Sequence, residues 1–290
     1  MTNPDLPFAW RAVRRAVAFP EFEPGWVWLV GAGPGDAGLL TLHALNALQQ
    51  ADVVVYDALV DDEILALVRP GAEVVYAGKR GGKASAKQRD ISLRLIELAR
   101  AGKRVLRLKG GDPFMFGRGG EEALALVGAQ VPFRVVPGVT SGVGGLAYAG
   151  IPTTHRDINH AVTFVTGHMS GGDVPDAINW QALAQGSPVI VIYMGLKHLP
   201  RIAQELRMAG RSAGEPVAIV SNATTPRQRV LETTLGCAVD DAAASGIEAP
   251  ALIVVGEVVR LRAGLDWLSA LGGLKLDADP LQSKVAREAG

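Results

Sequence analysis

The sequence contains a single cysteine, Cys237, among its 290 residues, so no internal disulfide can form. Such scarcity is typical of proteins in a reducing compartment, and we expect a cytoplasmic protein. The surrounding segment LGCAVDDAA offers this thiol no histidine or basic neighbour. A structural role for Cys237 is therefore favoured over a nucleophilic one.

Long apolar runs are also missing. No run reaches the roughly 18 residues of a membrane-spanning helix, so we expect no membrane association. The first 24 residues carry acids and prolines and lack the compact apolar core and cleavage site of a signal peptide. We interpret residues 1–24 as an N-terminal extension that precedes the folded domains.

Glycine, by contrast, is plentiful at 35 residues, while aromatic residues make up only 6%. This composition, in a chain long enough for two medium-sized domains, favours an α/β fold over an all-β sandwich. Up to residue 138, apolar runs alternate with helical patterns, which predicts a parallel sheet covered on both faces. Beyond it, the hairpin-like spacing of the last three runs predicts a mixed sheet. The predicted parts are the extension, an N-terminal α/β domain over 25–138, a C-terminal α/β domain over 139–262 and a tail over 263–290.

The periodicity also places individual elements. Strands are predicted at 26–31, 52–57, 73–78, 104–109, 133–138, 161–167, 188–195, 216–224, 229–235 and 251–259. Helices are predicted at 37–50, 61–68, 87–101, from about 117, and at 197–209.

The first strand leads into WLVGAGPGDAGLL, in which Gly33, Gly35 and Gly38 fit the dinucleotide pattern G-x-G-x-x-G. Two neighbours oppose that interpretation. Pro34 stiffens the loop, and the carboxylate of Asp36 suits a helix N-cap but repels a pyrophosphate. An NAD-dependent oxidoreductase, or a nucleotide-binding regulator without catalysis, stays open as an alternative of a different class.

Positive charge is concentrated between Lys79 and Arg118, where twelve Lys and Arg residues face three acids, a local charge of +9. One interpretation is the solvated face of an amphipathic helix, and another is a field that attracts a polyanion. The loop GKRGGK carries three of these cations. Because no nucleic-acid motif accompanies it, we expect no nucleic-acid partner.

The most unusual stretch is RLKGGDPFMFGRGGEEAL, residues 107–124. Gly110 and Gly111 would let a ligand approach the backbone, as in a phosphate loop. The carboxylate of Asp112 would instead repel phosphate and favour a cation. This loop therefore predicts a ligand without phosphate.

Two acids and an arginine follow. Arg118 and Glu121 lie three residues apart at a helix start, where they can form a surface pair or contact a charged ligand. Glu122 can be explained simply by the favourable position of an acid in the first helical turn.

Eight blocks in this order and spacing resemble the tetrapyrrole methylases across residues 26–260. They are VGAGPGD, YDALV, GKRGG, RLKGGDPFMFGRGGEE, VVPGVTSG, GIPTTHR, TGH and YMG. The resemblance is greatest to the branch that acts on uroporphyrinogen III. It implies two α/β domains with the active site in the cleft between them, a homodimer, and methylation at C2 and C7 by S-adenosylmethionine. The products would be precorrin-2, formed through precorrin-1 for sirohaem, cobalamin or haem d1, and S-adenosylhomocysteine. A sister enzyme that acts on a later precorrin, or on the diphthamide precursor of a protein, is the alternative.

The resemblance also implies roles for individual residues, and no metal. The cofactor residues would be Pro34, Gly110, Gly111, Asp112, Met115, Thr140, Ser141, Met194 and Ala223. The catalytic residues would be Asp57 as proton acceptor, Lys79 as proton donor, Arg118, Glu121 and Arg156. The substrate-binding residues would be Lys79, Arg80, Lys83, Arg118, Glu121 and Arg156, since arginine suits the carboxylates of uroporphyrinogen III. His155 and His168 are expected to have no catalytic role.

Overall fold

A computed structural model describes residues 16–78, 88–167 and 178–281. These residues form two compact units. The first unit takes in residues 16–32 and Leu40–Gly138, and the second takes in Gly33–Leu39 and the chain after Gly138. The loop 33–39 thus groups with the second unit, although it directly follows the first strand of the chain. The domain limits proposed from the sequence stay a prediction.

The first unit is built on a sheet of parallel strands in the order β3-β2-β4-β1-β5. Its strands are β1 (Val27–Gly31), β2 (Val53–Tyr56), β3 (Glu73–Tyr76), β4 (Val105–Lys109) and β5 (Phe133–Val136). Every residue of the central strands β1 and β4 is buried, as expected for a parallel sheet that is covered on both faces. The parallel sheet predicted for the N-terminal half is confirmed.

Four helices of the first unit connect these strands. They are α1 (Leu42–Leu48), α2 (Asp62–Leu65), α3 (Gln88–Arg100) and α4 (Gly119–Gly128). The helix predicted over 37–50 is divided into a 3-10 turn at Ala37–Leu39 and α1. The division has a physical cause, because the hydroxyl of Thr41 accepts the amide of Ala44 and caps a new helix.

The second unit is built on a mixed sheet in the order β6-β7-β10-β8-β9. Its strands are β6 (Thr163–Thr166), β7 (Ile190–Tyr193), β8 (Pro216–Ser221), β9 (Arg229–Thr234) and β10 (Ala251–Val255). Strands β6 and β7 are parallel, and the other pairings are antiparallel. The prediction of a mixed sheet is therefore confirmed.

The second unit has more helices than its sequence pattern indicates. They are α5 (Ser141–Tyr148), α6 (Trp180–Gly186), α7 (Leu199–Met208), α8 (Ala238–Ser245), α9 (Arg262–Leu265) and α10 (Trp267–Leu271). Only α7 was expected as a clear helix between residues 139 and 260. Nowhere in the described parts of the chain is a helix both long and apolar enough to traverse a bilayer.

Candidate active site

The carboxyl edge of the first sheet holds several of the residues implicated by the sequence. Asp57 directly follows β2, and Gly110, Gly111 and Asp112 directly follow β4, its neighbour in the sheet. Ligands of open α/β sheets bind outside the carboxyl ends of the strands. The topology therefore brings these residues to the edge at which a ligand is expected.

Glycines at this edge allow three loops to pack backbone against backbone. A Cβ atom on Gly31 would lie 2.5 Å from the Cα of Gly138 and 2.6 Å from the carbonyl oxygen of Gly111. A Cβ atom on Gly110 would lie 2.5 Å from the Cβ of Leu59, in the loop after β2. The sequence interpretation assigned Gly110 and Gly111 only to the close approach of a ligand. In the structure these glycines also allow the backbones of the loops to pack together.

Asp112 braces the loop after β4. One carboxylate oxygen accepts the amide of Phe114 at 2.8 Å, and the other accepts the amide of Gly138 at 3.0 Å. The side chain therefore ties this loop to the loop after β5. Its predicted contact with a cofactor stays a prediction, and it has a structural task in addition.

The loop between Asp112 and α4 has an unusual backbone. Phe116 and Arg118 both have positive φ angles, 52° and 61°. Such conformations cost free energy for residues with side chains and tend to occur at functional sites. Gly119 has no room for a side chain, because a Cβ atom there would lie 2.3 Å from the carbonyl oxygen of Pro113.

Arg118 and Glu121 form an exposed, two-point ion pair. Nε and Nη2 of the arginine donate to the carboxylate at 3.0 Å and 2.6 Å. The hydrogen bond from Arg118 lowers the pKa of Glu121, and the same bond raises the pKa of Arg118. An exposed pair contributes little to folding, so both charges stay accessible to a charged ligand.

Glu122, the next residue of α4, differs from this pair in being fully buried. Its carboxylate accepts hydrogen bonds from Arg107 at 3.1 Å and from Lys109 at 3.2 Å. Glu122 does lie in the first turn of α4, as the sequence interpretation had it, but that interpretation missed the buried ion pairs. The missed signal is that Arg107 and Lys109 are two residues apart on a buried strand and so share a face. Two cations on a buried face require a carboxylate.

In the second unit, the glycine-rich loop 33–39 is held by Asp36. Its carboxylate accepts the hydroxyl of Tyr148 at 2.6 Å and the amide of Gly38 at 2.7 Å, while its amide donates to the hydroxyl of Thr224. The hydrogen bond to Asp36, with burial, raises the pKa of Tyr148. This acid thus fixes the loop to α5 and to the loop after β8.

Pro34 of this loop and Ala223 of the loop after β8 both lie against α5. A Cβ atom on Gly144 would lie 3.2 Å from Cγ of Pro34, and one on Gly145 would lie 2.7 Å from the Cβ of Ala223. Asn222 and Thr224, on either side of Ala223, have positive φ angles of 48° and 65°. The glycines of α5 therefore permit contacts that larger residues would prevent.

Tyr193, at the end of β7, connects the remaining cofactor residues of this unit. Its hydroxyl lies 2.7 Å from the hydroxyl of Thr140 and accepts the amide of Gly142 at 2.7 Å. Met194 follows it with a φ of 55° and a side chain that is 48% exposed. Five predicted cofactor residues, namely Pro34, Thr140, Ser141, Met194 and Ala223, thus lie on elements that meet around α5.

Arg156 is exposed on a loop organised by a buried amide that sequence reasoning missed. Asn159 is 3% exposed. It accepts the amide of His155 and donates to the carbonyls of Thr153 and Ala161. The predicted residues Lys79, Arg80, Lys83 and His168 lie outside the described part of the chain. Within residues 16–78, 88–167 and 178–281, no three His, Cys, Asp or Glu side chains converge in a way that could hold a metal ion.

The nine predicted cofactor residues suit S-adenosylmethionine in their chemistry. One of them, Asp112, is acidic, and the others are uncharged. A sulfonium cofactor that carries no phosphate needs backbone groups, apolar contacts and no concentration of positive charge. Four of these residues belong to the first unit and five to the second.

Known proteins are similar to this chain over most of its length. Residues 27–238 match the family described as Tetrapyrrole (Corrin/Porphyrin) Methylases. A uroporphyrinogen-III C-methyltransferase from Sinorhizobium sp is 69% identical over 92% of this chain and 96% of the relative. A siroheme synthase from Nitrosococcus oceani is 51% identical, and the match covers 88% of this chain but 54% of that relative. The chain thus spans about half the length of that synthase.

Solved structures are similar as well. A uroporphyrin-III C-methyl transferase from Thermus thermophilus, complexed with S-adenyl homocysteine, has a TM-score of 0.69 and 45% identity. That match covers 81% of this chain and 99% of the other. A cobalt precorrin-4 methyltransferase has a TM-score of 0.73 and 31% identity, over 81% of this chain and 96% of the other.

Proposed function

The chain belongs to the tetrapyrrole (corrin/porphyrin) methylases, and we propose that it is an S-adenosylmethionine-dependent C-methyltransferase that acts on uroporphyrinogen III. The observation that carries this proposal is the 69% identity to a uroporphyrinogen-III C-methyltransferase along 96% of that enzyme. The product of two methylations, at C2 and C7, is precorrin-2.

S-adenosylmethionine supplies an electrophilic methyl group when bound. The residues proposed to hold it are the nine uncharged or acidic residues named above, with Met115 and Met194 giving soft apolar contacts. The task of the protein is then to align a pyrrole carbon with that methyl group and to exclude other geometries.

Proton transfer and substrate binding fall to charged residues. Methylation of a pyrrole carbon leaves a cation that must lose a proton, and Asp57 is the proposed acceptor. Asp57 is suited to this because its carboxylate is 25% exposed at the carboxyl edge of the first sheet. Lys79 is the proposed proton donor.

The carboxylates of uroporphyrinogen III are proposed to bind the cationic residues Lys79, Arg80, Lys83, Arg118 and Arg156. The paired Glu121 would hold the guanidinium of Arg118 in one orientation before substrate arrives. We also propose a cytoplasmic homodimer, on the basis of the single cysteine and the family resemblance. Light scattering of the purified protein would measure twice the mass of one chain if the dimer forms.

A sister reaction on a later precorrin is the second candidate, favoured by the 31% identity to a cobalt precorrin-4 methyltransferase. Competition between acceptors separates the two. The purified protein is incubated anaerobically with S-adenosylmethionine and equal amounts of uroporphyrinogen III and precorrin-2. The tetrapyrroles are then identified by mass spectrometry. We expect consumption of uroporphyrinogen III. Further methylation of precorrin-2 with uroporphyrinogen III left intact would support the sister reaction instead.

A further inference from the structure

Three buried charged side chains lie behind Asp57, and none of them has a role in the reaction described so far. Arg107 and Lys109 of β4 are each 3% exposed, and Glu122 of α4 is fully buried. Taking such charges out of water costs several kcal/mol per ion. Well-packed apolar residues often replace a buried ion pair without loss of stability. Folding alone therefore does not account for these three residues.

The contacts form a row of alternating charges that ends at Asp57. Nζ of Lys109 lies 3.2 Å from both oxygens of Glu122. Glu122 also accepts Nε of Arg107, and Nη2 of the same guanidinium lies 3.5 Å from Oδ2 of Asp57. Of these four side chains, Asp57 has the greatest exposure, at 25%.

Other contacts fix the middle of the row and its exposed end. Arg107 also donates to the carbonyl of Val55, and the amide of Gln88 donates to Glu122 at 2.8 Å. At the exposed end, Oδ1 of Asp57 accepts the amide of Leu59 at 3.1 Å and lies 3.5 Å from the amide of Gly110. The geometry leaves Oδ2 facing Arg107.

The charges of the row influence one another across its length. Burial and the charge of Arg107 lower the pKa of Lys109, whereas Glu122 and Asp57 raise it. A change of charge at Lys109 must therefore be felt at Asp57, because electrostatic coupling between two sites is reciprocal.

We propose that Arg107, Glu122 and Lys109 are positioning residues that orient the carboxylate of Asp57 and couple its charge to the buried charges of the row. This inference rests on the proposed role of Asp57 as proton acceptor. Arg107 acts by direct contact, Glu122 holds Arg107, and Lys109 balances the charge of Glu122.

The test measures Asp57 itself. The side-chain carboxyl carbon is followed by ¹³C NMR across pH in the ligand-free protein, and Asp57→Asn assigns its signal. Lys109→Met removes one positive charge, so the titration midpoint of Asp57 rises. Adding Glu122→Gln to Lys109→Met removes the matching negative charge and lowers the midpoint again, toward the wild-type value. Glu122→Gln is tested only together with Lys109→Met. In Glu122→Gln alone, Lys109 would lack its carboxylate partner and could lose its own proton, so two charges would change at once.

A matched control is Lys103→Met, since Lys103 is an exposed lysine just before the amino end of β4, opposite to the site. It leaves the midpoint unchanged. A merely structural role would lower stability in all buried variants without moving the midpoint. An unchanged midpoint in Lys109→Met, or one that moves further upward in the double variant, would overturn the proposal.

A second measurement covers the case in which Lys109→Met does not fold. Asp57→Asn keeps the oxygen that accepts the amide of Leu59, and it removes the charge at the exposed end. We expect the pKa of Lys109, followed through its ¹³Cε signal, to fall in this variant, and an unchanged value would refute the coupling.

Activity separates this inference from the proposed function. In assays with uroporphyrinogen III, the acid limb of the kcat/KM profile should follow the NMR midpoint upward in Lys109→Met and back in the double variant. A midpoint that moves while the acid limb stays fixed would support the charge network and contradict Asp57 as proton acceptor.

Discussion

Arg118 is the residue whose substitution best separates substrate binding from cofactor binding. We predict that Arg118→Ala lowers kcat/KM for uroporphyrinogen III by about 10- to 100-fold, since hydrogen bonds between charged groups contribute about 1.5–3 kcal/mol. Calorimetry should show unchanged affinity for S-adenosylhomocysteine. Arg94→Ala, which removes another exposed arginine paired three residues along its helix, is the control and should have little effect on either. Loss of affinity for S-adenosylhomocysteine in Arg118→Ala would contradict the assignment of Arg118 to substrate binding.

Gly138 tests the backbone packing at the carboxyl edge of the first sheet. A Cβ atom there would lie 2.3 Å from the carbonyl oxygen of Gly111, so Gly138→Ala should lower the free energy of unfolding by about 1–3 kcal/mol. Gly120→Ala is the control, because its Cβ atom would meet nothing within 4 Å. In the helix α4 it should raise stability by about 0.5–1 kcal/mol. Equal effects of the two substitutions in denaturant titrations would argue against the packing.

At the scale of elements, the hydrogen bond from Tyr148 of α5 to Asp36 of the loop 33–39 predicts that the stability of the fold depends on pH. The pKa of Tyr148 is raised in the folded state, so its contribution to stability is present below about pH 10 and is lost as pH rises through the folded value. Tyr148→Phe should therefore reduce the free energy of unfolding by about 1 kcal/mol at pH 8. The difference from wild type should shrink above pH 10, as measured by urea unfolding. A difference in the free energy of unfolding that does not change with pH would contradict a stabilising hydrogen bond between Tyr148 and Asp36.

Continuous apolar runs such as WVWLVG and the VVV of β2 marked the strands, because buried parallel strands need apolar residues on both faces. The helix α5 escaped prediction because SGVGGLAY contains three glycines, which disfavour an isolated helix. It is helical because those glycines allow close contacts. Gly142 lies under the hydroxyl of Tyr193, and Gly145 lies against Ala223. Tertiary packing of this kind has no local signature.

At the scale of the whole molecule, the net charge is zero, but the cations fall into two groups. Some are paired with acids inside the protein, and others are exposed and can contact a ligand. Arg107 and Lys109 belong to the +9 segment, but they are buried and paired with Glu122. Arg104 of the same segment pairs with Asp52. The count of charges in the sequence therefore overstated the field available to a polyanion, since sequence alone does not distinguish buried from exposed cations.

Ligand binding to the whole protein should show in its thermal stability. S-adenosylhomocysteine at about 100 times its Kd should stabilise the folded state by about 2.7 kcal/mol and raise Tm by several degrees. NADH at the same concentration should not, because the glycine-rich loop 33–39 carries Asp36 instead of a free phosphate site. Stabilisation by NADH alone in a differential scanning experiment would favour the dinucleotide interpretation.

The central claim is the double methylation of uroporphyrinogen III, and counting transferred methyl groups tests it most directly. The protein is incubated anaerobically with uroporphyrinogen III and S-adenosylmethionine whose methyl group carries ¹³C, and the product is measured by mass spectrometry. We predict a tetrapyrrole that carries two labelled methyl groups, with a singly labelled species at early times. A tetrapyrrole of unchanged mass, with a substrate that has stayed fully reduced and a protein that binds S-adenosylhomocysteine, would contradict the account.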